Sequence, residues 1–114
     1  MDKRLENELD RAPKGTREAL YAFKESGDIS QLEIFAKGVI ARNIDDAFIE
    51  NFSKVDDSTR IVDDLGIDSL TMLEIAMTLE DALGIELIDD DLSGIETYGN
   101  MRDYLVGLIK TGSP

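Results

Sequence analysis

The stretch Gly66-Ile67-Asp68-Ser69-Leu70-Thr71-Met72-Leu73-Glu74-Ile75-Ala76-Met77-Thr78-Leu79-Glu80-Asp81-Ala82-Leu83-Gly84 reads as a helix over 69–83, opened by a serine and closed by a glycine. With about 100° between successive residues, Met72, Ile75, Ala76, Leu79 and Leu83 gather on one face. That is a core stripe. Leu70, Leu73 and Met77 gather on roughly the opposite face, beside Glu74, Glu80 and Asp81. A helix that only packs against a core has no use for a second apolar stripe. Two readings compete for it. The helix is either buried on both sides, for instance by the residues at the N-terminus, or it presents a docking face. In the second case a few apolar residues give affinity, and the surrounding acids steer toward a basic partner. A methionine in the stripe suits a surface that must fit several partners. Carboxylates buried without partners are costly, so the acids favour docking.

Ser69 stands in the first turn of this helix. There, unsatisfied backbone N–H groups and the helix dipole favour an attached anion such as a phosphodiester. Gly66 lets the chain turn sharply without a Cβ penalty. Asp68 can cap the helix and stand beside the serine as a carboxylate. Taken alone, an Asp-Ser pair reads best as a plain N-cap. A catalytic serine is disfavoured, because the 114 residues contain no histidine to act as base and Ser69 lies in no Gly-x-Ser-x-Gly elbow.

Outward from this helix, the pattern is helical on both sides. Pro13-Lys14-Gly15 breaks an initial charged segment, and Thr16 offers an N-cap for a helix reaching Ser26, with Ala19, Leu20 and Phe23 on one face. Gly27 ends it, and Asp28 or Ser30 can cap the next. From Ile29 to Asn43, the residues Ile29, Leu32, Phe35, Ala36, Val39 and Ile40 recur at helical spacing, interrupted by Gly38. Residues 44–68 read as a long connection with an apolar knot at Phe48, Ile49 and Phe52. Ile85 to Ile88 is β-branched and apolar, but no partner strand exists. It reads as an extended loop that tucks Ile85 and Leu87 into the core. A short helical turn follows around Asp90–Ile95. A final helix spans Tyr98–Lys110, with Tyr98, Met101, Leu105 and Leu108 on one side. The fold class is therefore all-α, a small bundle with long irregular connections.

Composition narrows the chemistry. Cysteine is absent, which excludes disulfides, thiolate metal sites and cysteine nucleophiles. The net charge is −13, and it is unevenly placed. Residues 61–114 carry twelve acids against two bases, a local net of −10, and no basic residue lies between Arg60 and Arg102. Such a field repels nucleic acid and anionic membrane surfaces, and it favours partners with basic patches. The clusters Asp63-Asp64 and Asp89-Asp90-Asp91 suit weak, diffuse cation binding. The EF-hand spacing is absent, so no dedicated metal site is expected. No apolar run is long enough to span a membrane, and no signal-like stretch follows Met1. A soluble, cytoplasmic, monomeric protein is the expectation.

The run Ile61-Val62-Asp63-Asp64-Leu65-Gly66-Ile67-Asp68-Ser69-Leu70, then Glu74, then Met77-Thr78-Leu79-Glu80-Asp81, resembles the acyl carrier protein family. The resemblance continues without a gap through Ile85-Glu86-Leu87, Asp89-Asp90-Asp91, Ile95 and Thr97 to Asp103-Tyr104-Leu105, about 45 residues matched in type and spacing. It implies a four-helix bundle with a long loop between its first two helices, here with an extra N-terminal helix. On that basis residues 29–114 form the carrier domain and residues 1–28 an N-terminal helical extension. The resemblance further implies that Ser69 receives the 4′-phosphopantetheine of coenzyme A from a phosphopantetheinyl transferase, with Asp68 supporting that enzyme's recognition. The terminal thiol of the arm would then carry acyl intermediates of fatty-acid or specialised lipid synthesis as thioesters, sheltered between the helices. Leu70, Leu73, Glu74, Met77, Glu80 and Asp81 fall where family members meet ketosynthases, dehydratases, acyltransferases and similar enzymes.

The chain also departs from the family pattern. Ile88 stands where many members have proline, Thr71 replaces a frequent acid, and Gly94 and Gly99 suggest a looser third helix and a less rigid start to the fourth. Ile67, where peptidyl carriers have glycine, favours acyl carriage. On this reading the protein is not an enzyme but a cofactor-bearing substrate for others. The competing reading is an unmodified acidic interaction module, in which Ser69 is only a cap and the Leu70/Leu73/Met77 face binds a partner.

Overall fold

The computed structural model describes residues 3–45, 48, 52 and 54–110. Six helices are present among them: α1 Lys3–Arg11, α2 Thr16–Ser26, α3 Ile29–Asn43, α4 Ser69–Leu83, α5 Asp89–Ser93 and α6 Tyr98–Lys110. The described residues form no strand. An isolated antiparallel bridge between Arg60 and Thr97 ties the long connection to the start of α6.

The all-α bundle is as expected, and the structure adds a helix. The initial charged segment, read as merely broken at Pro13, forms α1 and buries Leu5 and Leu9. The residues before Ile29 thus contribute two helices. Thr16 is also not a cap. It is the first residue of α2, fully buried, and its Oγ1 donates to the Pro13 carbonyl at 2.7 Å, while Gly15 occupies the cap position. At the head of α3, Asp28 takes the capping role, accepting from the backbone N–H and the hydroxyl of Ser30.

A continuous apolar core joins all parts. Leu20 and Phe23 of α2, Leu32, Phe35 and Ile40 of α3, Ile75 and Leu79 of α4, and Tyr98, Met101 and Leu105 of α6 are buried together with Leu5 and Leu9. Ile61, Leu65 and Ile67 bring the end of the long connection into the same cluster, and half-buried Phe48 and Phe52 pack against it. Ile49 of the expected apolar knot lies outside the described residues. The Ile85–Ile88 segment is irregular, with Leu87 buried and Ile85 half-buried, as an extended loop requires.

α2 packs chiefly on α3, and α1 lies across α3 and α4. Burial of Leu5 and Leu9 holds α1 in place. Each buried leucine contributes about 1.5–3 kcal/mol, whereas an exposed ion pair contributes about 0–1 kcal/mol. The half-exposed ion pair from α1 to the body, Arg4 to Asp81 at 2.9 Å, therefore orients the helix more than it anchors it, and a more buried pair joins Glu8 to Arg42 at 3.4 Å.

Two glycines within helices have close neighbours. Gly99 donates its N–H to the Asp57 carbonyl, and a Cβ there would meet that oxygen at 2.8 Å. The residue marks a tight junction and not a loose helix start. Gly38 faces α2, where a Cβ would stand 2.1 Å from Thr16 Oγ1 and 2.6 Å from its Cγ2. Thr16 is buried and stiff at χ1, so it has little room to move. The gain of about 1 kcal/mol in helix propensity is smaller than this clash. Gly38→Ala is expected to cost a net ~1–2 kcal/mol, seen as a lowered midpoint in thermal or urea unfolding followed by circular dichroism.

Candidate functional site

Leu65, Gly66 and Ile67 lead into α4 along a sharp turn. Leu65 and Ile67 are buried, which leaves Gly66 between them at the surface with φ +67°. A Cβ on Gly66 would also meet the Phe48 ring at 2.4 Å. Any L side chain is thus opposed twice at this position. The turn delivers Asp68 in an extended conformation as the N-cap of α4, with its carboxylate accepting the Thr71 N–H at 2.8 Å. Hydrogen bonds from the helix N–H groups, that of Thr71 foremost, hold the Asp68 carboxyl below its ordinary range.

Ser69 is the first residue of α4, exposed at the surface. Beside it lies a cleft of about 370 Å³, lined by Ile61, Val62, Ile67, Asp68, Ser69, Met72, Leu73, Leu92, Ser93 and Ile95. One wall belongs to α4 and the other to α5 and the turn after it. The lining is mainly apolar and contains no basic side chain.

The far wall of the cleft is fastened by Tyr104. Its hydroxyl donates to Asp91 Oδ2 at 3.0 Å and accepts the Ile88 N–H at 3.2 Å. Ile88 is the N-cap of α5. A proline there would have no N–H to offer Tyr104, so the departure at Ile88 has a structural use. α5 is short, Asp89–Ser93, and ends at Gly94.

The two apolar faces of α4 are both present. Ile75, Ala76 and Leu79 are buried in the core, and Met72 and Leu83 are half-buried. On the other side Leu70, Leu73 and Met77 are 67%, 45% and 49% exposed. A third side was not legible from hydropathy. Thr78 is fully buried beneath α1, receives Arg4 Nη2 at 3.1 Å and donates to the Glu74 carbonyl. The three acids of the outer face are placed differently from one another. Glu74 is exposed. Glu80 accepts the Leu87 N–H at 2.8 Å, pinning the Ile85–Ile88 loop. Asp81 is paired with Arg4.

Residues 49–105 match the family described as "Phosphopantetheine attachment site". The meromycolate extension acyl carrier protein of Mycolicibacterium aurum is 41% identical over 76 residues, covering 67% of this chain and 76% of that protein. The chain belongs to the acyl carrier protein family. The meromycolate extension acyl carrier protein of Mycobacterium leprae is 39% identical over 77 residues, 68% of this chain; the match spans 65% of that relative's own length. An acyl carrier protein of Rhodococcus erythropolis is 43% identical over 61 residues, 54% of this chain and 67% of that protein. Phosphopantetheine is the cofactor of this family, whose members are carriers and not catalysts. No helix among the described residues is long and apolar enough to cross a membrane.

The residues at the head of α4 fit the arm. A hydroxyl at the surface is open to a transferase, and an apolar cleft starts at the same residue. Asp68 orients the first turn that presents the hydroxyl. Asp68→Ala is expected to lower the melting temperature, with Asp68→Asn intermediate because its amide oxygen still accepts from Thr71. A depressed carboxyl stabilises the fold above the ordinary carboxyl pKa, and that contribution is lost as pH falls through the folded value. The gap between wild type and Asp68→Ala should therefore close on acidification below the ordinary carboxyl range, as measured by thermal unfolding at stepped pH.

Proposed function

We propose that Ser69 carries the 4′-phosphopantetheine arm and that the protein passes acyl intermediates between enzymes of fatty-acid or specialised lipid synthesis. The observation that carries this reading is the coincidence at one residue of an exposed serine hydroxyl, an Asp-capped helix head and the mouth of an apolar cleft. When attached, the arm supplies a terminal thiol for a thioester, which this cysteine-free chain lacks.

The chain's own residues do the rest. Asp68 fixes the first turn of α4 and gives the transferase a carboxylate beside the reacting hydroxyl. Met72, Leu73, Leu92 and Ile95 offer the cargo an apolar lining, and removing an acyl segment from water favours its stay there. Leu70, Leu73 and Met77 supply the apolar docking face for partner enzymes, with Glu80 along one border and Asp81 and Glu74 along the other. The name of the mycobacterial relatives, meromycolate extension acyl carrier protein, supports chain extension as the setting. Ketosynthases, dehydratases and acyltransferases with basic surfaces are the partners this face fits, and the carrier meets them as a monomer. Residues 29–114 act as the carrier domain, and residues 1–28 as an element added to it.

Incubation with a broad-specificity phosphopantetheinyl transferase and coenzyme A, followed by intact-mass measurement, is expected to show one phosphopantetheine adduct on wild type and none on Ser69→Ala. No adduct on wild type would leave the unmodified interaction module as the better reading. An adduct that persists on Ser69→Ala would move the site.

A further inference from the structure

α1 delivers a cation to the border of the exposed α4 face. The Arg4 guanidinium donates to Asp81 Oδ2 at 2.9 Å, to Thr78 Oγ1 at 3.1 Å and to the Glu74 carbonyl at 3.3 Å. In helical projection Met77, Leu70, Asp81 and Glu74 follow one another within about 60°. Asp81 therefore belongs to the same exposed arc as the apolar residues. Arg4 and Asp81 keep 35% and 38% of their side chains in solvent, so the pair sits at the edge of that arc and not in the core.

A second contact acts in the same direction. The other acid in the C-terminal half of α4, Glu80, is engaged by the Leu87 N–H. Both carboxylates at that end thus meet donors from within the chain, while Glu74, nearer Ser69, stays exposed. A guanidinium donating to a carboxylate oxygen is also what a basic partner would bring to such a surface. Here it is supplied internally, by a helix held down independently through Leu5 and Leu9.

We propose that Arg4 makes α1 a built-in selector of partners. By neutralising Asp81 it withdraws the far end of the α4 face from charge-guided docking. Enzymes that dock here place their cations toward Glu74 and the Ser69 end, and those requiring an ion pair at Asp81 are turned away. The inference rests on the carrier reading above.

The test uses the full chain, a broad-specificity phosphopantetheinyl transferase and coenzyme A, with modification followed by intact mass. The transferase is a suitable probe because it must dock close enough to reach Ser69. Arg4→Ala, and Arg4→Gln as a polar variant, are expected to lower KM about two- to five-fold at low salt, with kcat unchanged. Raising the ionic strength should erase the gain. Adding Asp81→Asn to either variant should return KM to the wild-type value. A gain that survives Asp81→Asn overturns the proposal, as does the absence of any gain in variants of undiminished helical signal. Loss of the helical signal in both Arg4 variants overturns it too, because Arg4 would then be a structural clamp. No adduct on wild type would remove the carrier reading, and this inference with it.

Discussion

The structure depends on how α4 is enclosed. Its core side, led by Ile75 and Leu79, is buried in the common cluster, and a second side, at Thr78, is closed by α1. The remaining arc keeps Leu70, Leu73 and Met77 in water. Burying those three would gain free energy, yet the fold leaves them out. The other elements can be read as consequences. Leu65 and Ile67 aim the helix, Gly66 permits the turn, Asp68 fixes its first N–H groups, and Glu80 pins the loop that follows. A helix so constrained presents its first residue and its outer face at a fixed relation to each other. On the proposed reading that relation is what a carrier needs, because a partner would meet the face while reacting at an arm on Ser69.

Much of this was legible in the sequence, for a physical reason. The two stripes of α4 follow from helical periodicity alone, and the bounds of α3, α4 and α6 match the apolar spacing. Those helices have buried faces wide enough to dominate the pattern. α1 was missed because its nine residues carry only Leu5 and Leu9 as apolar contacts among charges. Its helical state comes from being pressed onto α3 and α4, which local sequence does not reveal. Thr16 was misread for a related reason. A hydroxyl at a helix start ordinarily caps, but here Gly15 takes the cap position and Thr16 turns inward toward Gly38.

The site divides in the same way. Ser69, Asp68 and Gly66 stand out because a short motif concentrates residue types that each do one local job. The cleft could not be seen, since it forms between segments distant in sequence, Ile61–Leu73 and Leu92–Ile95. The engagement of Asp81 by Arg4 crosses 77 positions of sequence. Long-range polar contacts of this kind leave no periodic trace. Acids that look equivalent in the sequence, such as Glu74, Glu80 and Asp81, become distinct only when the tertiary fold gives each its own neighbours.

The Tyr104 contacts make the cleft mechanically lopsided. One wall is a fifteen-residue helix embedded in the core, and the other is a five-residue helix whose start is hung from a single phenol oxygen. Two hydrogen bonds at that oxygen, Glu80 on the Leu87 N–H and the packing of Leu92 and Ile95 hold that wall, while the first wall can yield only by disturbing the whole cluster. The shorter wall is the one with fewer buried contacts, so a change in the width of the cleft would fall first on a helix other than the one that bears Ser69.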